Sequence, residues 1–273
     1  MSEQSNTAFT EQDFAIFESI ATRDSVLNLD LYCLLAVSHF PLFTEAEKLF
    51  EPTTERELCE FDPVQAIIFT AANRPENVTT VVQQHLQTLG DSVPNKVLFL
   101  TRIREALLKA SLLCGFPRVI NGMWHAMAPV DEETRQALPK EPLRLVESPE
   151  TLTSWRTRGM EFFSRIYNRH TDRVMGALTD LNPDLADMVK QEVYGKILSD
   201  TRSLGEVETE LIVIAALVPM EVPAQLKGHV HGAKNVGASD LEVKTVLDLA
   251  EAICSRVRQV AKPVVAPALH NQL

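Results

Sequence analysis

The chain has 273 residues, with 26 Lys and Arg against 37 Asp and Glu, for a formal net charge of −11. Hydrophobic residues make up 45% and charged residues 23%, the makeup of a globular protein with chain enough for one large domain or two modest ones. That balance excludes an extended disordered chain, a collagen-like repeat and a small disulfide scaffold, and the acidic surface argues against nucleic acid as a partner.

Taken in chain order, Thr10 followed by Asp13 predicts a helix start, with Phe14, Phe17 and Ile20/Ala21 on one face. The first twenty residues carry acidic side chains and no basic-flanked apolar stretch, so no secretory signal is expected. No apolar run reaches the ~18 residues of a membrane span. The longest, from Leu211 to Met220, contains Pro219. Cys33, Cys59, Cys114 and Cys254 lack Cys-x-x-Cys spacing and read as buried reduced thiols, not disulfides or metal ligands.

Apolar residues recur at three- and four-residue spacing almost throughout, and strand-like alternation is nearly absent, so the predicted fold is all-α. Pro75, Pro94, Pro117, Pro219 and Pro223 punctuate the chain at intervals that suit short helical hairpins. Between Pro139 and Pro149 there are three prolines in eleven residues, which predicts a linker over 139–150. An N-terminal helical lobe over 1–138 and a C-terminal lobe over 151–273 would flank it. Internal similarity supports the division. At one constant offset Ile68, Ala71, Ala72, Pro75, Val78 and His85 fall on Ile212, Ala215, Ala216, Pro219, Val222 and His229. Ala66 meets Glu210, so the halves of this expected duplication are not chemically equivalent.

In the second half, Asn182-Pro183-Asp184 is a helix start, and Ser239-Asp240-Leu241-Glu242 is a capping box just after Gly237. A helix from about Glu206 to Val218 is apolar from Leu211 onward and should be buried. Glu210 is its last charge. The next helix, from Pro223, carries its stripe on Val222, Leu226, Val230 and Ala233, with His229 inside it and His231 on the wet face with Lys227 and Lys234. A short proline-bounded turn packs the two helices antiparallel, which can bring Glu210 and His229 into one pocket. A carboxylate there fixes the imidazole tautomer and raises its basicity, as general acid–base chemistry requires. The same pair can also be a purely structural polar contact, and two candidate ligands do not make a metal site.

These residues resemble the carboxymuconolactone decarboxylase family, within the alkylhydroperoxidase-like superfamily. The likeness runs through Arg158-Gly159, Pro183-Asp184-Leu185, Tyr194-Gly195, Glu210-Leu211 and Gln225-Leu226-Lys227-Gly228-His229. It continues into Gly232-Ala233, Asn235, Gly237 and Ser239–Glu242, and in the first half into Arg104–Leu108 and Gly115–Arg118. It covers most of 60–128 and 155–255. The resemblance implies a helical fold, chemistry without a cofactor, and homo-oligomers formed through exposed apolar helix faces. The peroxidase branch carries a Cys-x-x-Cys before the histidine. Val222 and Gln225 stand there in this chain, so thiol peroxidase activity is not expected. The arginine that commonly precedes the glutamate is Thr209.

The resulting expectation is a decarboxylase-like lyase acting on a small lactone or enol-type acid. His229 would move the proton, Glu210 would orient it, and Gln225, His85 and Arg118 are candidate substrate contacts. The alternative is a helical oligomer that has lost catalysis and serves as an interaction or scaffold protein. The expected location is cytoplasmic, with a peroxisomal address as the alternative: Asn271-Gln272-Leu273 ends in Leu but lacks the small and basic residues of such a signal.

Overall fold

A computed structural model describes residues 12–13, 62–146 and 148–259, and among these the chain is helical, with no strand. Gln12 and Asp13 are helical, and Asp13 accepts a hydrogen bond from Arg256 Nε at 2.6 Å. Phe14, Phe17, Ile20, Ala21, Cys33, Cys59 and the Asn271-Gln272-Leu273 tripeptide lie outside the described residues. Of the remaining cysteines, Cys254 is buried and Cys114 half-buried, and both are free.

In the first half, α1 (Asp62–Ala71) and α2 (Glu76–Thr88) form a hairpin crossed by α3 (Val93–Cys114), followed by α4 (Phe116–Met127) and α5 (Glu132–Ala137). After residues 138–148 come α6 (Pro149–Tyr167), a 3-10 turn (Asn168–His170), α7 (Thr171–Leu181), α8 (Pro183–Met188) and a π-helical stretch (Val189–Leu198). The chain then repeats the hairpin-plus-third-helix pattern as α9 (Glu206–Leu217), α10 (Pro223–Asn235) and α11 (Asp240–Gln259). The two sets interlock. Helix α9 packs on α1 and α3, while α11 packs back on α1. The caps are those the sequence predicts: Asn182 Oδ1 accepts from the Asp184 and Leu185 amides, and Ser239 and Glu242 satisfy each other's amides.

Helix α9 is buried on every side from Thr209 to Leu217, as its unbroken apolar run requires. Ile212, Ile214, Ala215 and Ala216 join Ile67, Phe69, Phe99, Leu107 and Leu249 in one apolar cluster that draws on both halves. Val213 and Leu217 join Phe162, Phe163, Ile166 and Tyr194 in a second. Helix α6 meets the π-helical stretch backbone to backbone, because a Cβ on Gly159 would come within 2.4 Å of the Gly195 amide nitrogen. Only glycine permits that crossing, and the crossing brings Tyr194 alongside the end of α6.

The C-terminal carbonyls of the π-helical stretch need donors, and cations supply them. Arg158 donates to Gly195 O at 2.9 Å, Arg144 to Lys196 O at 3.1 Å, and Lys109 to Leu198 O at 3.1 Å. Lys109 is fully buried yet saturated: its ammonium also reaches Asp200 O at 2.8 Å and Thr209 Oγ1 at 2.6 Å. Burial pushes its pKa down to about 8 against the opposing pull of Glu105 and Asp200. Arg144 pairs with Glu105 and Asp200, and Arg202 clasps Asp200 and also donates to Leu143 O. The predicted linker segment is thereby pinned to α3 and to the loop before α9.

Burial would raise the Asp200 carboxyl, but the hydrogen bonds from Arg202 and the charges of Arg144 and Arg202 hold it down at about 2. Its unfolded value is near 3.9, so the unfolded chain takes up the proton first. The stabilisation from Asp200 is complete above about pH 4 and lost as the pH falls toward about 2. In Asp200→Asn, urea titrations should show lower stability at pH 7 and a flatter loss between pH 4 and 2 than in the wild type.

Candidate active site

Pro219 ends α9, and Pro223 opens α10 at a position where its missing N–H costs nothing. The turn between them returns α10 along α9, and the two helices pack closely. Glu210, in the first half of α9, and His229, in the middle of α10, face each other. His229 Nδ1 lies 2.9 Å from Glu210 Oε2. Glu210 has no exposed surface and His229 is 8% exposed, so the contact is sheltered from bulk water. Among the described residues Glu210 Oε1 has no hydrogen-bond partner. With the carboxylate ionised, Nδ1 carries the imidazole proton, which leaves the Nε2 lone pair pointing outward.

Two tyrosines that the sequence reading missed lie beyond that lone pair. Tyr167, the last residue of α6, brings its hydroxyl 3.5 Å from His229 Nε2, with its ring edge-on to the imidazole at 6.1 Å. Tyr194 Oη donates to Tyr167 Oη at 3.5 Å. Burial raises both phenols, Tyr194 well above its ordinary value, and the Glu210 charge adds to the effect on each. Both are therefore neutral O–H donors at physiological pH. The chain of groups runs Tyr194, Tyr167, His229, Glu210. Asn235 Nδ2 donates to Ile166 O at 2.8 Å and ties α10 to the end of α6, which fixes Tyr167 against His229. One sequence cue pointed here: the chain has only 3 tyrosines, and Tyr194 stands within the family-like Tyr194-Gly195 pair.

The other predicted contacts go elsewhere. Gln225 is exposed on α10, one turn before His229. Arg118 donates to Ala71 O at 2.6 Å and caps α1. His85 is 4% exposed and stacks on Phe99 at a centroid distance of 4.0 Å, in a half where Ala66 replaces the glutamate. His231 is exposed, as expected, with Nδ1 2.7 Å from Lys227 O. Thr209, at the place of the family's arginine, is buried; its hydroxyl donates to Gly205 O and accepts from Lys109. A cavity of about 430 Å³ opens at the start of α9, lined by Val64, Leu204, Glu208, Leu211 and Gly237 among others, but not by Glu210 or His229. Among the described residues no group of three or more His, Cys, Asp or Glu could hold a metal ion.

A helical protein with a buried carboxylate–imidazole pair across a proline-bounded hairpin is the class that fold and site together define. The family model for the carboxymuconolactone decarboxylase family matches residues 183–265, which include both residues of the pair. Peroxisomal protein 2 of Schizosaccharomyces pombe is 31% identical over 214 residues, spanning 78% of this chain and 92% of that protein. Peroxisomal protein 2 of Saccharomyces cerevisiae is 33% identical over 171 residues, spanning 55% of this chain and 59% of that protein. No solved structure matches the chain. The chain belongs to the carboxymuconolactone decarboxylase family.

Gly232 makes the pair's geometry possible. A Cβ there would sit 2.8 Å from Glu210 Oε2 and 2.6 Å from Ile166 Cγ2. At Gly228 the nearest atom would be Tyr167 Cε1, at 3.8 Å, an ordinary contact. Gly232→Ala should therefore lose about 1–3 kcal/mol in urea unfolding, whereas Gly228→Ala should stay close to wild type.

Proposed function

We propose that this chain performs cofactor-free acid–base chemistry on a small lactone or enol-type acid, as a decarboxylase-like lyase. The observation that carries the reading is the sheltered contact of 2.9 Å between Glu210 Oε2 and His229 Nδ1. In the proposed reaction the carbon–carboxylate bond breaks, carbon dioxide leaves, and the electron pair spreads into a conjugated carbonyl. His229 Nε2 takes the proton of the substrate's carboxyl group as carbon dioxide leaves and delivers it to carbon. Glu210 holds the imidazole in one tautomer and balances its charge when it is protonated. Arg118 and His85 are held in the first half, so the proposal rests on His229 and Glu210, with Gln225 on the exposed side of α10 as the remaining candidate substrate contact.

The test uses 4-carboxymuconolactone with the full chain. Wild type should release carbon dioxide and gain several degrees in Tm with ligand, while His229→Ala should lose at least 10²-fold in rate. Equal rates and equal ligand-induced stabilisation in the two proteins would contradict the proposal.

The names of the two relatives support a peroxisomal location for this chain. Exposed Phe116, Ile120 and Trp124, at four-residue spacing along α4, support a homo-oligomer. A fluorescently tagged chain should colocalise with a peroxisomal marker, and the purified chain should scatter light as an assembly; diffuse fluorescence or a monomeric mass would count against each.

A further inference from the structure

The acid–base reading gives the site a base but not the group that receives negative charge on the substrate. Cleaving a bond next to a carbonyl sends electron density onto the carbonyl oxygen, and that oxygen needs a donor within hydrogen-bond reach. Arginine and lysine are the usual sources of such help. Among the described residues none is hydrogen-bonded to Glu210, His229 or Tyr167. Buried Lys109 spends its three protons on Leu198 O, Asp200 O and Thr209 Oγ1.

Tyr167 meets the requirement. It is half-buried where Glu210 is fully buried, and its hydroxyl lies on the Nε2 side of the imidazole, opposite the carboxylate. Its contact with His229 Nε2, at 3.5 Å, lies at the outer limit of a hydrogen bond, and so does its contact with Tyr194. A phenol held so loosely can exchange the imidazole for a substrate oxygen at little cost, and contacts of this kind tighten once substrate is bound. Beside it Gly228 presents no side chain, and even a methyl group there would stand 3.8 Å from the Tyr167 ring. The surroundings are otherwise apolar, with Phe163, Val222 and Leu226 in the same cluster.

We propose that Tyr167 is a catalytic residue that donates its phenolic O–H to the carbonyl oxygen of an uncharged, enolisable carbonyl compound, an unsaturated lactone being the simplest case, while His229 works at the neighbouring carbon. This rests on the acid–base reading above. In the step so defined, the C–H bond beside the carbonyl breaks and its proton goes to His229 Nε2. The electron pair forms a carbon–carbon double bond, and the carbonyl π pair moves onto oxygen, where Tyr167 holds it. The proton returns from His229 to carbon at the same position or two atoms along. Nothing is oxidised or reduced. Tyr194, donating to Tyr167, is a positioning residue.

The probe is α-angelica lactone in D2O with the full chain, followed by NMR as deuterium incorporation at the ring carbon beside the carbonyl and as migration of the double bond. Wild type should exchange well above buffer. Tyr167→Phe, which keeps the ring and removes only the hydroxyl, should lose about 10²–10³-fold in kcat, the usual cost of removing one oxyanion donor. Its KM should move less than threefold and its Tm should be unchanged. Tyr194→Phe should lose only severalfold. If Tyr167→Phe matches wild type while His229→Asn is inactive, the role assigned to Tyr167 falls and the acid–base reading stands. If wild type does not exceed buffer, or His229→Asn matches wild type, the role assigned to Tyr167 falls, and the 4-carboxymuconolactone assay decides the acid–base reading separately. If Tyr167→Phe loses activity only through unfolding, seen as a lower Tm, while Tyr167→His folds and exchanges at the wild-type rate, a phenolic donor is not required and the proposal is overturned.

Discussion

A carboxylate with no exposed surface is among the most expensive groups a protein can bury unless an opposing group shares its charge. Glu210 is such a carboxylate, in the first half of a helix buried on every side from Thr209 to Leu217, and His229 is the group that answers it. The rest of the C-terminal half is arranged around that contact. The proline-bounded turn sets the return of α10, Gly232 leaves room for the carboxylate, and Asn235 locks α10 to α6. The glycine crossing of α6 with the π-helical stretch carries Tyr194 to Tyr167. Each arrangement would be wasted if the pair separated.

The two halves show what the pair costs and what its absence permits. At the matching place in the first half Ala66 stands for the glutamate, and His85 packs flat on Phe99 as an aromatic core residue. Helix α1 is then free to contribute almost pure apolar surface, and it packs against both α9 and α11. The first half thus acts as a wall for α9. Its fully buried Lys109 reaches across to secure Thr209, the residue next to Glu210, and the carbonyls at the end of the π-helical stretch. The buried pair belongs to one hairpin, and the other, of the same pattern, gives it apolar support.

Much of this was legible in the sequence, because helices advertise themselves through period and punctuation. The apolar run after Glu210, the prolines at 219 and 223, the cap at Asn182 and the box at Ser239 each depend on neighbouring residues only, and each appears where predicted. The contact of Glu210 with His229 followed from one short turn. What could not be read depends on distant chain segments meeting. Tyr167 meets His229 through the Asn235 tie between α10 and α6, and Tyr194 meets Tyr167 where Gly159 and Gly195 touch, a crossing with no local signature. Lys109 looks like an ordinary exposed lysine until the carbonyls at 198 and 200 arrive. Arg118 and His85 had chemistry suited to a substrate, but nearer partners hold them, Ala71 O and Phe99.

The central claim is that the imidazole at 229 is held by the carboxylate through Nδ1 and turns its other nitrogen toward the phenol. Long-range 1H–15N correlation spectra of 15N-histidine-labelled protein at neutral pH test this most directly, with exposed His231 as the internal reference. The account predicts a single tautomer for His229, protonated at Nδ1, whose ring proton exchanges with water far more slowly than that of His231. A proton on Nε2, or exchange as fast as at His231, would contradict it.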